Sequence, residues 1–278
     1  MNETLKIACI QMVSSTRVAD NLASAARSIE QAKLLGAQVV VLPEYFCIMG
    51  ANDTDKVAVA EDYRGDSPDD TTPIQWTMQQ LARQHQIYLV AGTIPLKSPN
   101  PEKVYNTTLV YAPDGSVVAR YDKIHLFGFN NGVESYDEAR TIEAGEIQQV
   151  PTVWNSPWGK IGLSICYDIR FPELYRAAGD VFAWINIAAF TYTTGQAHWE
   201  LLMRTRAVEN QCYVVACGQG GKHENGRQTF GHSMIVDPWG VVQEILETGE
   251  GVICGVLKPA RVARVRASIP ALQHRVLF

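Results

Sequence analysis

The stretch KIGLSICYDIRFPELYRAA, residues 160–178, joins a strand pattern to a helix pattern through a single cysteine. Residues 160–165 are mostly apolar and predict a short buried strand, whereas Pro172 and Glu173 open a helical pattern. Cys166 therefore lies where the strand ends, on the rim of a sheet and near the positive end of a helix. Both features favour a reactive thiolate, so the stretch predicts a nucleophile as well as an α/β fold.

Strand and helix patterns alternate through the rest of the chain. Apolar runs predict strands at 5–12, 39–43, 87–95, 181–190 and 212–218, and apolar periodicity predicts helices at 21–35, 74–85 and 198–210. Hairpins are predicted across 104–123, around 156–159 and around 237–240. A purely parallel sheet would not need these hairpins. We therefore expect two mixed sheets, each covered by helices on its outer face, in one domain spanning residues 1–278.

Composition narrows the class of protein. The 278 residues carry a formal net charge of −5, which argues against a nucleic-acid-binding domain. No apolar run approaches the roughly 20 residues of a membrane span, and the first twelve residues do not resemble a secretory signal. The six cysteines form no C-x-x-C pair, which is typical of reduced thiols. We expect a cytoplasmic protein that binds neither membranes nor nucleic acid.

Two further polar residues follow predicted strands far from Cys166 along the chain. Glu44 comes after VVVLP, and Lys123 comes after VVARYD. Cleavage of an amide by a thiol needs a base, an acid for the leaving amine and fixed charge for the oxyanion, which these residue types supply. Each also has an ordinary explanation, as an inert core thiol, a helix cap or a surface lysine. Three histidines are alternative bases for a Cys–His pair: His125, His198 and His232.

Three motifs occur together and in a distinctive order. LPEYF at 42–46, YDKIHLF at 121–127 and ICYDIRFPELYR at 165–176 resemble the nitrilase superfamily of carbon–nitrogen hydrolases. The resemblance implies a four-layer αββα sandwich of two mixed sheets. It also implies a homodimer that extends the sandwich, a small-molecule amide substrate, and neither a metal nor an organic cofactor.

The same resemblance implies a role for each motif residue. Glu44 corresponds to the general base, Lys123 to the cation at the oxyanion, and Cys166 to the nucleophile that forms a thioester. The backbone N–H of Tyr167 would be a second oxyanion donor.

The superfamily also has a second glutamate between the lysine and the cysteine, which positions the catalytic groups. Glu134, Glu138 and Glu143 compete for this role, and they lie in a segment, 124–150, without clear periodicity. Glu138, seven residues before Gly145, best matches the spacing in the superfamily.

Later segments resemble one branch of the superfamily. Residues 194–215 resemble its amidases, and residues 220–240 and 269–276 resemble the enzymes that hydrolyse deaminated glutathione. The resemblance implies hydrolysis of deaminated glutathione to 2-oxoglutarate and Cys-Gly. The alternatives are an ω-amidase acting on 2-oxoglutaramate or 2-oxosuccinamate, another amidohydrolase of the superfamily, and a non-enzymatic binding protein that keeps the fold.

Six polar side chains are expected to bind the substrate: Arg170, Thr191, Tyr192, Lys222, His223 and Arg227. The last three are expected as cations that bind carboxylates. Arg170 lies just behind the nucleophile and suits the carboxylate of an α-keto acid, although a buried pair with Asp168 or Glu173 explains it equally well.

Overall fold

The computed structural model describes residues 4–147 and 151–277, and two large β-sheets form its centre. Strands and helices are numbered in chain order. Within the described residues the first sheet has seven strands: β1 (Leu5–Gln11), β2 (Val39–Val41), β3 (Tyr88–Lys97), β4 (Val104–Tyr111), β5 (Val117–Asp122), β8 (Ile142–Glu143) and β17 (Gly251–Leu257). The second sheet has six: β9 (Val153–Ser156), β10 (Gly159–Ile165), β11 (Ala183–Ala188), β12 (Tyr213–Gly218), β15 (Ser233–Val236) and β16 (Val242–Leu246).

The described residues also contain two small hairpins and six α-helices. The hairpins are β6 (Gly128–Asn130) with β7 (Ser135–Asp137), and β13 (Gly220–Lys222) with β14 (Gln228–Phe230). The helices are α1 (Val18–Leu34), α2 (Asp55–Ala58), α3 (Pro73–His85), α4 (Pro172–Ala177), α5 (Tyr192–Asn210) and α6 (Pro259–Ser268). Short 3₁₀ turns cover Glu138–Arg140 and Cys166–Arg170.

Both sheets are mixed. The first runs in the order β17-β1-β2-β3-β4-β5, and β1, β2 and β3 are parallel. Strands β17, β4 and β5 each pair antiparallel with their inner neighbour, whereas β8 pairs parallel with β4. The second runs β16-β15-β12-β11-β10-β9, with a parallel centre of β10, β11 and β12. The predicted hairpins form the pairs β4–β5, β9–β10 and β15–β16, whereas β17 pairs with the distant β1.

The layers follow from which face of each strand is apolar. Because successive side chains of a strand point to opposite faces, Ile7 and Cys9 of β1 pack against the second sheet, whereas Ala8 and Ile10 pack under α1 and α3. Helices α4 and α5 pack against the second sheet, with Trp199 fully buried. Helices therefore cover both outer faces, and the predicted αββα sandwich of two mixed sheets is confirmed.

The first helix begins three residues earlier than predicted, and the largest boundary error is at the start of α5. The helix expected at His198 begins six residues earlier, at Tyr192. Residues 192–194 are Tyr-Thr-Thr, which are weak helix formers without an apolar stripe, so the sequence pattern does not extend to them. Thr191 occupies the N-cap position, and its hydroxyl bonds that of Thr194 at 2.7 Å.

In the described parts of the chain, 4–147 and 151–277, no helix is long and apolar enough to cross a membrane.

Candidate active site

Cys166 lies at the carboxyl end of β10, as the sequence predicted, and opens the 3₁₀ turn. Its φ of +48° is in the left-handed region, which a residue with a side chain seldom adopts. The turn is held by the Asp168 carboxylate, which accepts a hydrogen bond from the Ile165 N–H at 2.8 Å. A strained cysteine held in this way is typical of a functional position rather than of an inert core thiol.

Glu44 is buried, and hydrogen bonds fix both of its carboxylate oxygens. Oε1 accepts from Asn106 Nδ2 at 2.8 Å and from Lys123 Nζ at 3.0 Å, and Oε2 accepts from the Ala189 N–H at 2.7 Å. The Ala189 N–H also faces Cys166, where it lowers the pKa of the thiol. One backbone amide therefore lies between the carboxylate and the sulfur.

Lys123 is completely buried and bridges two carboxylates. Its Nζ lies 3.0 Å from Glu44 Oε1 and 2.7 Å from Glu138 Oε2. Burial alone would lower the pKa of Lys123, but Glu138 and Glu44 raise it well above its usual value. The side chain is thus a permanent ammonium beside Cys166.

Glu138 is the member of the three candidate glutamates that reaches this cluster. Besides Lys123, its carboxylate accepts hydrogen bonds from the Phe127 N–H at 2.8 Å and from the Tyr45 hydroxyl at 2.9 Å. Burial would raise the pKa of Glu138, but Lys123 and these hydrogen bonds bring it below the usual value. Glu134 instead bonds the Thr193 hydroxyl, and Glu143 lies in β8.

The expectation of a thiolate at Cys166 was wrong for the free enzyme. Burial, followed by the Glu44 carboxylate, raises the pKa of Cys166 well above its ordinary value, and Lys123 offsets only part of this. The short 3₁₀ turn, rather than α4, follows the cysteine directly. The thiol is therefore neutral at rest and needs a base beside it when it reacts.

Sequence reasoning missed three groups that complete the cluster: Tyr45, Asn106 and Ala189. Tyr45 follows Glu44 directly and also has a left-handed φ of +56°, held by a hydrogen bond from its N–H to the Thr93 hydroxyl. Asn106 is a polar residue inside the apolar strand β4, which was a signal available in the sequence.

Arg170 makes neither of the ion pairs considered for it. Its Nη1 donates to His198 Nδ1 at 3.3 Å, and its guanidinium lies 5.3 Å from the Phe190 ring centroid and 5.8 Å from that of Tyr167. Asp168 bonds the Tyr121 hydroxyl and the His125 ring instead.

The other expected substrate-binding residues occupy different settings. Thr191 is buried, as described above, and Tyr192 is half-exposed, with its ring 6.0 Å from that of Phe230. Lys222 is exposed at the end of β13. Arg227 is half-buried, and its Nη2 donates to the Ala189 carbonyl at 3.0 Å. Among the three cations expected in this loop, Arg227 thus contacts Ala189, whose N–H bonds Glu44.

The expectation that His223 is a cation was wrong. Its Nδ1 lies 3.0 Å from the Ser14 carbonyl and its Nε2 lies 2.8 Å from the Thr229 hydroxyl, which a neutral ring satisfies by donating at Nδ1 and accepting at Nε2. Burial lowers the pKa of His223. The side chain joins the 220–230 hairpin to the end of β1.

The three alternative histidine bases have other contacts. His125 stacks on Phe171 and bonds Asp168, His198 accepts from Arg170, and the His232 ring bonds the Phe230 carbonyl. The ionisable groups that act on the pKa of Cys166 are Glu44, Lys123 and Glu138. Residues 4–147 and 151–277 contain no group of three His, Cys, Asp or Glu side chains placed to hold a metal ion.

A family model for carbon–nitrogen hydrolases matches residues 6–267. The chain belongs to the carbon–nitrogen hydrolase family. This confirms the resemblance drawn from the three motifs, and the protein is an enzyme that hydrolyses carbon–nitrogen bonds.

Known proteins of this hydrolase family match over almost the whole chain. The deaminated glutathione amidase of Synechocystis sp. is 41% identical over 277 residues, 97% of each chain. The omega-amidase NIT2 of Mus musculus is 34% identical over 98% of this chain and 95% of its own. The structure of Saccharomyces cerevisiae Nit3, a member of branch 10 of the nitrilase superfamily, superposes with a TM-score of 0.87 at 32% identity, covering all of this chain and 98% of that one.

Proposed function

We propose that the protein is an amidase that hydrolyses deaminated glutathione to 2-oxoglutarate and Cys-Gly through a thioester on Cys166. The observation that carries the proposal is the buried Lys123 ammonium, bonded to Glu44 and Glu138 beside the thiol. The 41% identity to a deaminated glutathione amidase supports the choice of substrate.

In the proposed acylation step, the Cys166 sulfur attacks the amide carbonyl carbon while its proton passes to Glu44. The tetrahedral oxyanion accepts hydrogen bonds from Lys123 Nζ and the Tyr167 N–H. Glu44 then returns the proton to the amide nitrogen as the carbon–nitrogen bond breaks. Cys-Gly leaves as the amine, and the 2-oxoglutaryl group remains as the thioester.

In the proposed deacylation step, Glu44 takes a proton from a water molecule that attacks the thioester carbonyl. The carbon–sulfur bond breaks, 2-oxoglutarate leaves, and the proton returns to the Cys166 sulfur. Glu138 takes no proton in this scheme, because Lys123 and two further donors hold it as a carboxylate. Its role is to position Lys123.

Replacement of the nucleophile tests the mechanism. We expect Cys166→Ala to lower release of 2-oxoglutarate from deaminated glutathione by at least about ten-thousandfold, because the covalent route is lost. Cys254→Ala, which changes a half-buried thiol on β17, is the control and should keep wild-type activity. Turnover by Cys166→Ala at the wild-type rate would refute the covalent mechanism, and wild-type protein that hydrolyses no amide would favour the non-enzymatic alternative.

A second candidate substrate shares the chemistry and differs in the leaving group. The 34% identity to an omega-amidase favours 2-oxoglutaramate, from which ammonia would leave instead of Cys-Gly. The ratio of kcat/KM for the two substrates separates the candidates. We expect deaminated glutathione to be preferred, and a large preference for 2-oxoglutaramate would reverse the assignment.

We also propose that the protein is a single-domain homodimer of the cytoplasm. The shared core between the sheets and the match over residues 6–267 support one domain. Its six free cysteines suit a reducing compartment. An exposed apolar surface formed by Val208, Trp239 and Ile269 supports self-association.

A further inference from the structure

A cavity of about 170 Å³ lies beside the catalytic cluster, and two cations line it. The cations are Lys56, from α2, and Arg227, from the 220–230 hairpin. Its other polar lining residues include Tyr136, Asn225 and one acidic residue, the exposed Asp53. Residues from three separate parts of the chain therefore converge on a small polar space that no motif of the sequence indicates.

The cavity shares a wall with the catalytic cluster. The Tyr45 ring lies 5.4 Å from Lys56 Nζ, while the Tyr45 hydroxyl donates to Glu138. On another side, Arg227 donates to the carbonyl of Ala189, whose N–H bonds Glu44 and faces the Cys166 thiol. The cavity is thus linked to Glu138 through Tyr45, and to Glu44 through Arg227 and Ala189.

The two cations lack a charged partner of their own. Across the described residues, no carboxylate forms a salt bridge with Lys56 or Arg227. The Arg227 Nε–H is buried and has no hydrogen-bond partner among residues 4–147 and 151–277. Burial lowers the pKa of Lys56, and Glu138 and Asp53 offset part of this. An anion bound here would compensate for the burial of both charges.

We propose that Lys56 and Arg227 form a subsite for a carboxylate of the substrate. The planar guanidinium of Arg227 suits a carboxylate, and Lys56 adds a second positive charge from the opposite element. The subsite rests on the proposed amidase function and deepens it, because it selects amides that carry a carboxylate a short chain away from the scissile bond. The carboxylate comes either from the 2-oxo acid part or from the Cys-Gly part of deaminated glutathione.

Three amides separate these sources: 2-oxoglutaramate carries a carboxylate only on the acyl side, N-butyryl-cysteinylglycine only on the leaving side, and butyramide on neither. We expect Arg227→Gln and Lys56→Met each to lower kcat/KM for at least one charged amide by about tenfold to a hundredfold, mainly through KM. Turnover of butyramide should fall much less than that of the affected charged amide, since a neutral amide has no charge to lose. The charged amide that is affected identifies the source of the carboxylate.

Controls separate this subsite from general effects. Lys33→Met removes an exposed cation from α1 and should leave all three amides unaffected. Arg227→Lys keeps the positive charge and is the conservative variant in case Arg227→Gln misfolds the hairpin. Thermal unfolding of every variant checks that it is folded. Equal losses on charged and neutral amides, or no loss on either charged amide, would overturn the subsite.

A binding measurement keeps the subsite testable apart from turnover. We expect calorimetry to detect 2-oxoglutarate binding to Cys166→Ala protein and to show weaker binding when Arg227→Gln is added. Wild-type protein that cleaves no amide but binds 2-oxoglutarate through Arg227 would refute the proposed function and keep the subsite. The opposite outcome would keep the proposed function and refute the subsite. In that case the protein cleaves amides, 2-oxoglutarate binding does not depend on Arg227 or Lys56, and neither variant loses activity selectively on a charged amide.

Discussion

Lys123 is completely buried, and two carboxylates balance its charge rather than one. With a neutral thiol, the cluster of Glu44, Glu138, Lys123 and Cys166 carries one net negative charge. Ionising the thiol alone would add a second, and this repulsion raises the pKa of Cys166 further, after the larger effect of burial. In the proposed acylation step, transfer of the thiol proton to Glu44 would keep the total charge constant and leave the Lys123 charge free to face the oxyanion. One glutamate is thus placed to move a proton, while the other stays ionised.

The contact between Glu138 and Lys123 predicts that Glu138 affects kcat much more than Glu134, which lies four residues earlier in the same segment. Glu138→Gln removes the carboxylate 2.7 Å from Lys123 and should lower kcat by about a hundredfold to ten-thousandfold, because the cation is no longer held in place. Glu134→Gln is the matched control, since the Glu134 carboxylate accepts a hydrogen bond from the Thr193 hydroxyl and lies outside the cluster. Steady-state kinetics on both variants checks this. Comparable losses would assign the second glutamate elsewhere in the segment.

His223 predicts a pH dependence of stability rather than of catalysis. Its pKa is lowered in the folded state, so below the ordinary value of 6.5 the unfolded chain binds a proton that the folded chain does not. Stability from this group is therefore complete above pH 6.5 and is lost as the pH falls toward the folded-state pKa. Chemical unfolding of His223→Gln should show a shallower loss just below pH 6.5. His274→Gln, at an exposed histidine, should follow the wild type. Identical slopes for wild type and His223→Gln would contradict this.

At the scale of elements, Asp168 joins the strand end that carries the nucleophile to the one that carries the lysine. Its carboxylate accepts from the Ile165 N–H at 2.8 Å, from the Tyr121 hydroxyl at 2.7 Å and from the His125 ring at 2.7 Å. Tyr121 and His125 flank Lys123 by two residues on either side. The end of β10 in one sheet is thereby tied to the end of β5 in the other.

Loss of this tie should affect both stability and geometry. Asp168→Asn leaves donors without a charged acceptor, and we expect it to destabilise the protein by about 3 kcal/mol. Because the distance between Lys123 and Cys166 is no longer fixed, kcat should fall more than KM rises. Urea unfolding and kinetics measure the two effects, and a double-mutant cycle with Tyr121→Phe tests the coupling. Strictly additive energies would mean that Asp168 does not join the two strand ends.

The elements also show what the sequence could and could not predict. Long apolar runs such as residues 181–190 identify strands buried on both faces. Glu44, Lys123 and Cys166 were candidates because each follows a predicted strand, and the three motifs that resemble the nitrilase superfamily singled them out. Such patterns do not show which polar side chains are buried or which side chains from distant parts of the chain meet. His223 therefore looked like a cation, and nothing related Lys56 to Arg227, which lie 171 positions apart along the chain.

At the scale of the whole molecule, the exposed apolar side chains are unevenly distributed. A groove of about 390 Å³ is bordered by α5, α6 and the turn between β15 and β16, and it presents Val208, Trp239 and Ile269. These side chains are each about half exposed, and they come from separate elements. A contiguous apolar surface of this kind is stabilised when a second copy covers it, and a two-fold axis pairs the surface with itself.

The last prediction therefore concerns assembly. Trp239→Glu should convert the proposed homodimer to a monomer, because the dimer would bury the new charge at the centre of its apolar surface. Trp76→Glu is the matched control: Trp76 is 47% exposed and Trp239 is 52% exposed, but Trp76 lies on α3, which covers the other sheet. Light scattering coupled to gel filtration gives the mass of each variant. A monomeric wild type, or a dimer that Trp76→Glu disrupts and Trp239→Glu does not, would show that this surface is not the interface.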